Sequence, residues 1–194
     1  MSNDPQVTVS YLLLCHDSPA RITRIVKKIL SEDNSGYIVV HFDKNSSEHA
    51  YEEICVKLKD IDRCSILSHR VKCGWGQWSL VEATIRMLRY AFFNYKSDYY
   101  YLLSEYCWPS NKLSSLKFFL SKNKKISYID CKDKSWITGG IREDRFLYRH
   151  FFDKSKHPVL HRYGYILQKK IGFKKKLPEN IEIKYGSQWW CINS

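Results

Sequence analysis

The chain of 194 residues holds 32 Lys+Arg against 20 Asp+Glu, a formal charge of +12, and is 44% hydrophobic. Such a length and composition suit one folded domain, or slightly more, and exclude wholesale disorder. No window approaches 18 consecutive apolar residues, and no basic-then-apolar leader opens the chain, so neither a transmembrane helix nor a signal peptide is expected.

Val7–Cys15 (VTVSYLLLC) reads as a buried strand. Ser18-Pro19 then supplies an N-cap and a first-turn proline for a helix to about Leu30, with Ile22, Ile25, Val26 and Ile29 at helical spacing. Tyr37–Phe42 (YIVVHF) is a second buried strand, ending at Asp43. A helix over Glu48–Lys59 and a short strand at Ser65–Leu67 follow. Trp78–Asn94 is an amphipathic helix with Leu80, Val81, Ile85, Leu88 and Phe92 on one side. Tyr99–Leu103 is a strand, Ser110 caps a helix to about Lys122, and Ile126–Ile129 is another strand. Strand–helix alternation of this kind predicts an α/β fold, a mostly parallel sheet flanked by helices. After Asp130 it stops. Cys131–Gly140 reads as a loop, His161–Ile171 as a helix, and Ile181–Tyr185 and Trp189–Ile192 as short strands.

Charge is unevenly divided. Residues 1–110 hold 13 charges of each sign, while residues 111–194 hold 19 basic and 7 acidic ones. A basic half points to a polyanion: nucleic acid, an anionic membrane surface or a phosphorylated substrate. The seven cysteines form no C-x-x-C pair, which argues for free thiols in a reducing compartment and against zinc.

In parallel sheets ligands gather beyond the carboxyl ends of the strands, near the switch in strand order. The segments after the strands therefore carry the functional signal. Asp43 reads as a turn residue or as an acceptor for ribose hydroxyls or a base edge. In C-G-W-G-Q-W-S (Cys73–Ser79), Trp75 between two glycines is free to stack on a base or sugar, whereas Trp78 reads as a helix-start residue packed into the core. Glu105, in L-L-S-E-Y-C-W-P, stands at a strand end and reads as a ligand contact or a loop cap. Phosphate-binding glycine patterns are absent, and Asp60-Ile61-Asp62 precedes a strand, where it reads as a solvated turn and not as a metal site.

Together, VTVSYLLLCHDSP, YIVVHFDKNS, CGWGQWSLVEATIRMLRYAF, YYLLSEYCWPSNKL and YGSQWWCIN, in this order from Val7 to Asn193, resemble the core-2/I-branching β-1,6-N-acetylglucosaminyltransferase family, its bacterial members most. That family also contains peptide O-xylosyltransferases. The resemblance implies a GT-A-like fold and inverting, metal-independent transfer of a sugar, N-acetylglucosamine foremost, from a UDP-sugar to a glycan acceptor hydroxyl, with no cofactor. It puts Cys15, His16, Asp43, Trp75 and Gly76 at the nucleotide. It puts Glu105 in the loop bordering the donor sugar, and Arg142, Arg145 and Arg149 in the basic stretch near the acceptor. Ser187, Gln188 and Trp189, after Gly186, match a G-S-x-[WFY] segment on the active-site floor. Cys107 stands where many members have Asp.

The resemblance further implies that residues 1–130 form the nucleotide-sugar-binding subdomain. Residues 131–194 would open the second, acceptor-side half of the same catalytic domain. The family's general-base Glu and its diphosphate-binding Arg and Lys lie beyond the position of Ser194, so the sequence reads as a C-terminally incomplete enzyme with little transfer activity of its own. A cytoplasmic location with peripheral membrane association is expected. The alternatives are a basic module for nucleic acid or an anionic membrane, and an inactive remnant of the enzyme; no nucleic-acid motif supports the former, and no nucleic-acid partner is expected.

Overall fold

The computed structural model describes residues 7–139, 141–154 and 156–194. It divides into two compact units, residues 1–129 with 188–194, and residues 130–187. Trp190–Asn193, in a stretch grouped by sequence with the basic segment, pairs into the sheet of the first unit.

That sheet has six strands: β1 (Val9–Cys15), β2 (Tyr37–Phe42), β3 (Cys64–Ile66), β4 (Tyr99–Ser104), β5 (Tyr128–Ile129) and β6 (Trp190–Asn193). Their order is β3-β2-β1-β4-β6-β5. The first four are parallel, and β6 runs antiparallel between β4 and β5. The α/β class and mostly parallel sheet read from the sequence are observed.

Every residue of β1 is buried because both faces of the sheet are covered. On one face Tyr11, Leu13, Ile38, Val40 and Phe42 meet α1 (Pro19–Glu32), α2 (Glu48–Leu58) and α4 (Leu113–Lys122). On the other, Leu12, Leu14, Val39, Tyr100 and Leu102 meet α3 (Trp78–Tyr95). The α1 start is as expected: Ser18 Oγ accepts from Arg21 N at 3.3 Å, with Pro19 in the first turn.

Four expectations are corrected. Ser110 does not cap α4; Lys112 holds the N-cap position, without a side-chain cap. The buried stripe of α3 is Ala83, Met87 and Ala91, while Val81, Ile85 and Phe92 are exposed. Large sheet residues such as Tyr100 and Leu102 fill that interface, so small helix residues make the contact. Trp78 does begin α3, but it is 70% exposed and lies outside the core. Ile181–Tyr185 forms no strand; Tyr185 makes an isolated antiparallel bridge to Lys132.

In the second unit, α5 (Pro158–Lys170) is the one long helix among the described residues. Gly186 is dictated by a close approach: a Cβ there would lie 1.8 Å from the Asp130 carbonyl oxygen.

Candidate functional site

The strand order reverses at β1, with β2 on one side and β4 on the other. The crevice beyond the carboxyl ends of β1 and β4 is therefore the topological switch point. Glu105, just past β4, lies there with its side chain fully buried. Its Oε1 accepts from the backbone N–H groups of His16 (3.0 Å) and Asp17 (3.1 Å) and lies 3.2 Å from His16 Nδ1. Glu105 thus ties the loop after β1 to the loop after β4. Oε2 is buried without a protein partner among the described residues.

That geometry makes Glu105 a positioning residue. Glu105→Ala is expected to cost about 2 kcal/mol, because two loop N–H groups lose a charged-type acceptor. Glu105→Gln, which keeps an acceptor oxygen, is expected to retain most of that stability. Urea denaturation of both variants checks the split; equal losses would count against the hydrogen-bond account.

Cys15 contributes through its backbone. Its carbonyl accepts from Asp43 N at 2.7 Å, while burial, and next the Glu105 charge, push its thiol well above the usual cysteine range. His16 is exposed, and its carbonyl accepts from Ser46 Oγ at 2.5 Å. Asp43 joins the second and third strand ends. Its Oδ1 accepts from Asn45 N (2.8 Å) and Cys73 N (3.1 Å). Asn45 Nδ2 donates to the Cys73 carbonyl at 2.9 Å. No hydrogen bond engages Asp43 Oδ2 among the described residues.

The loop so anchored turns tightly. Gln77 N donates to Gly74 O, Gly74 N donates to Ser79 Oγ, and Gly76 has φ +69, a conformation that favours glycine. The turn leaves Trp75 98% exposed, with both ring faces open. A strand-end histidine holds the loop from below, in a structural and not a catalytic role. His41, in β2, is buried, and its Nε2 accepts from Val71 N at 2.9 Å. Burial pushes its pKa down to about 4, with Arg86 and Arg70 adding to the effect and Asp43 opposing it. A histidine inside YIVVHF, otherwise apolar, was the available signal.

Below the Glu105 loop, a cavity of about 630 Å³ opens between α1 and α4. Tyr101, Cys107, Trp108 and Trp189 are among its walls. Trp189 of the G-S-Q-W segment thus joins the first unit's own cavity, while Ser187 and Gln188 are exposed. Cys107 Sγ lies 3.4 Å from Ser104 N and shapes the same loop.

The three arginines lie in the second unit. Arg142 and Arg145 line a hollow of about 440 Å³ with Trp136 and Tyr185, whose rings stack at 5.9 Å. Arg142 is paired with Asp144 through two hydrogen bonds of 3.0 and 2.6 Å, which raise its pKa further. Arg149 does not line this hollow; its backbone N and O are both held by Gln168. Among the described residues no group of three or more His, Cys, Asp or Glu is gathered as a metal-ligand set. Asp60 and Asp62 are exposed on the turn before β3.

The chain matches the family described as Core-2/I-Branching enzyme over residues 9–193. Xylosyltransferase 1 of Rattus norvegicus is 23% identical over 190 residues, covering 96% of this chain and 21% of that protein. The chain thus spans about a fifth of the length of that relative. Among solved structures, the mannosyltransferase Ktr4p from S. cerevisiae is 12% identical, with 87% of this chain and 47% of that one covered and a TM-score of 0.30. Its complex with GDP gives 14%, 82%, 45% and 0.27 for the same quantities.

Proposed function

The chain belongs to the Core-2/I-Branching enzyme family, and we propose that it is a glycosyltransferase polypeptide that binds a UDP-sugar at the β1/β4 switch point. The reaction we assign is inverting transfer of a sugar, N-acetylglucosamine foremost, to a hydroxyl of a glycan acceptor. Fixed side-chain cations, and no metal, would balance the charge developing on the departing diphosphate.

The observation that carries this reading is the Asp43–Trp75 arrangement. Oδ1 of Asp43 is committed to the loop, and among the described residues no hydrogen bond engages Oδ2. That second oxygen can accept from a ribose hydroxyl or a base N–H. Trp75 offers an unobstructed face for uracil. The Glu105 tie fixes the neighbouring loop beforehand, so little ordering remains to be done on binding. The Arg142–Arg145 hollow, with its stacked Trp136 and Tyr185, is suited to a sugar face and is our candidate for acceptor contact.

Titration calorimetry with UDP in the presence of a chelator tests the reading. Wild type is expected to bind. Trp75→Ala is expected to weaken binding roughly tenfold, the usual worth of one base–aromatic stack, with unchanged stability. Asp43→Asn keeps an oxygen for Cys73 N and preserves the loop, yet loses the second carboxylate oxygen, so its affinity should fall while its fold persists. Asp43→Ala should lose both. Absence of UDP binding by folded wild type would overturn the proposal.

A further inference from the structure

A helix on a globular surface normally turns its apolar stripe inward. In α5 the arrangement is reversed. Its buried side chain is Gln168, whose amide is committed to Arg149 N, Arg149 O and Gly164 O. His161 and Tyr165 share that inner side, against His150 at 4.6 Å and Tyr148 at 5.1 Å between ring centroids. Leu160, Tyr163, Leu167 and Ile171, spaced by three and four residues, form an outer stripe between 48% and 67% exposed. Val159 and Phe173 extend it at the two ends.

The segment that carries the stripe is basic along the chain. Residues 154–176 contain eight Lys and Arg and no Asp or Glu. Lys170 borders the stripe on α5 at helical spacing, Arg162 and Lys169 lie across the helix from it, and Lys174, Lys175 and Lys176 follow it, all exposed. An apolar face with a basic border matches the boundary of an anionic lipid leaflet. Leucine and isoleucine enter the acyl region, tyrosine sits at the interface, and lysines reach the headgroups. Other occupants fit less well. A nucleic acid would pair the lysines and leave Leu160, Leu167 and Ile171 in water. A second copy would bring two strongly positive borders together. No helix among the described residues is long and apolar enough to cross a membrane, so α5 would lie along the surface.

We propose that α5 and Lys174–Lys176 dock the chain peripherally on an anionic membrane. Docking is independent of the sugar-transfer reading, since UDP binding and vesicle binding are measured separately.

The test is co-sedimentation with vesicles of phosphatidylcholine alone or with ~30% phosphatidylglycerol. The chain is expected to sediment with the anionic vesicles only, and less so as salt rises from ~0.1 to ~0.5 M. Leu167→Glu should abolish sedimentation. Replacing Lys170, Lys175 and Lys176 together by Ala should lower partitioning on the order of a hundredfold, from three lost surface charges. These lysines are exposed, so circular dichroism and UDP affinity should not change, which separates lost docking from lost folding. Three results would each overturn the proposal. One is no sedimentation by folded wild type. Another is equal binding to neutral and anionic vesicles. The third is a dimer, seen by light scattering and abolished by Leu167→Glu, that binds no vesicles.

Discussion

Asp33→Ala is expected to destabilise the protein by about 3–5 kcal/mol, as for other buried ion pairs that lose one partner. Asp33 follows α1 and is buried beneath the amino end of β2. Its Oδ2 accepts from Tyr11 Oη at 2.9 Å, and its Oδ1 accepts from Lys117 Nζ at 2.8 Å and Ser35 N at 3.1 Å. The network ties β1, the α1–β2 turn and α4 together. Burial, and then Asp33, raise the Tyr11 phenol above its ordinary range, so Tyr11 remains the donor. Truncation removes the acceptor of four donors at once, the Ser35 hydroxyl at 3.3 Å being the fourth, and Lys117 keeps only that hydroxyl, at 2.6 Å. Asp33→Asn retains an oxygen for Lys117 and Ser35 and should lose less than half as much. Since a whole domain is stable by about 5–15 kcal/mol, Asp33→Ala should leave it marginal. Urea denaturation at neutral pH reads the loss, and a change below about 1 kcal/mol would refute the account. Asp33 lies at the end of the strands opposite the switch point, so UDP affinity of the folded variant should match wild type.

That separation of ends explains what was legible in the sequence. Apolar runs such as VTVSYLLLC and YIVVHF can be buried on both faces only in a covered parallel sheet, so β1, β2 and β4 were readable locally. Ser18-Pro19 announced α1 for the same reason: its capping chemistry is confined to a few residues. The partner of β6 was not readable. Trp190–Asn193 pairs with Tyr99–Tyr101, about ninety residues earlier, and short-range pattern carries no information on that choice. The face of α3 was misread because hydrophobicity ranks Val81, Ile85 and Phe92 above Ala83 and Ala91, whereas packing against Tyr100 and Leu102 favours the smaller side chains. Trp78 failed likewise: its size suggested burial, but its place in the first turn of α3 keeps it in solvent.

The candidate site was legible as residues and not as a linkage. Asp43, Trp75 and Glu105 stand out because each follows a strand. What each does depends on partners remote in sequence: Cys73 for Asp43, His16 and Asp17 for Glu105. The structure joins four post-strand loops through backbone N–H groups that carry no side-chain signature. A sequence motif marks where such a site is. The hydrogen bonds that shape it come from main-chain atoms, whose positions only the fold determines.

His41 makes the loop carrying Trp75 sensitive to acid. Its imidazole accepts from Val71 N through Nε2, which requires the neutral ring. With a pKa near 4 in the folded chain against an ordinary 6.5, the unfolded chain binds the proton more tightly. The contribution of His41 is therefore fully present above about pH 6.5. It is lost as pH falls toward about 4, and changes no further below that. Across this window the loss amounts to about 3 kcal/mol. In the folded chain the ring takes up its proton only as pH falls to about 4 and below, which removes the acceptor for Val71 N, so the Asp43-anchored loop should loosen and UDP binding should weaken there, at the acid end of the stability loss. In His41→Gln, a side-chain oxygen can take the Val71 hydrogen bond at every pH. Urea midpoints measured at intervals between neutral pH and about pH 4.5 should fall more steeply for wild type than for His41→Gln. The carboxylates contribute equally to both proteins, so the difference between the curves isolates the histidine. Parallel curves would show that His41 does not set the acid limit of the site.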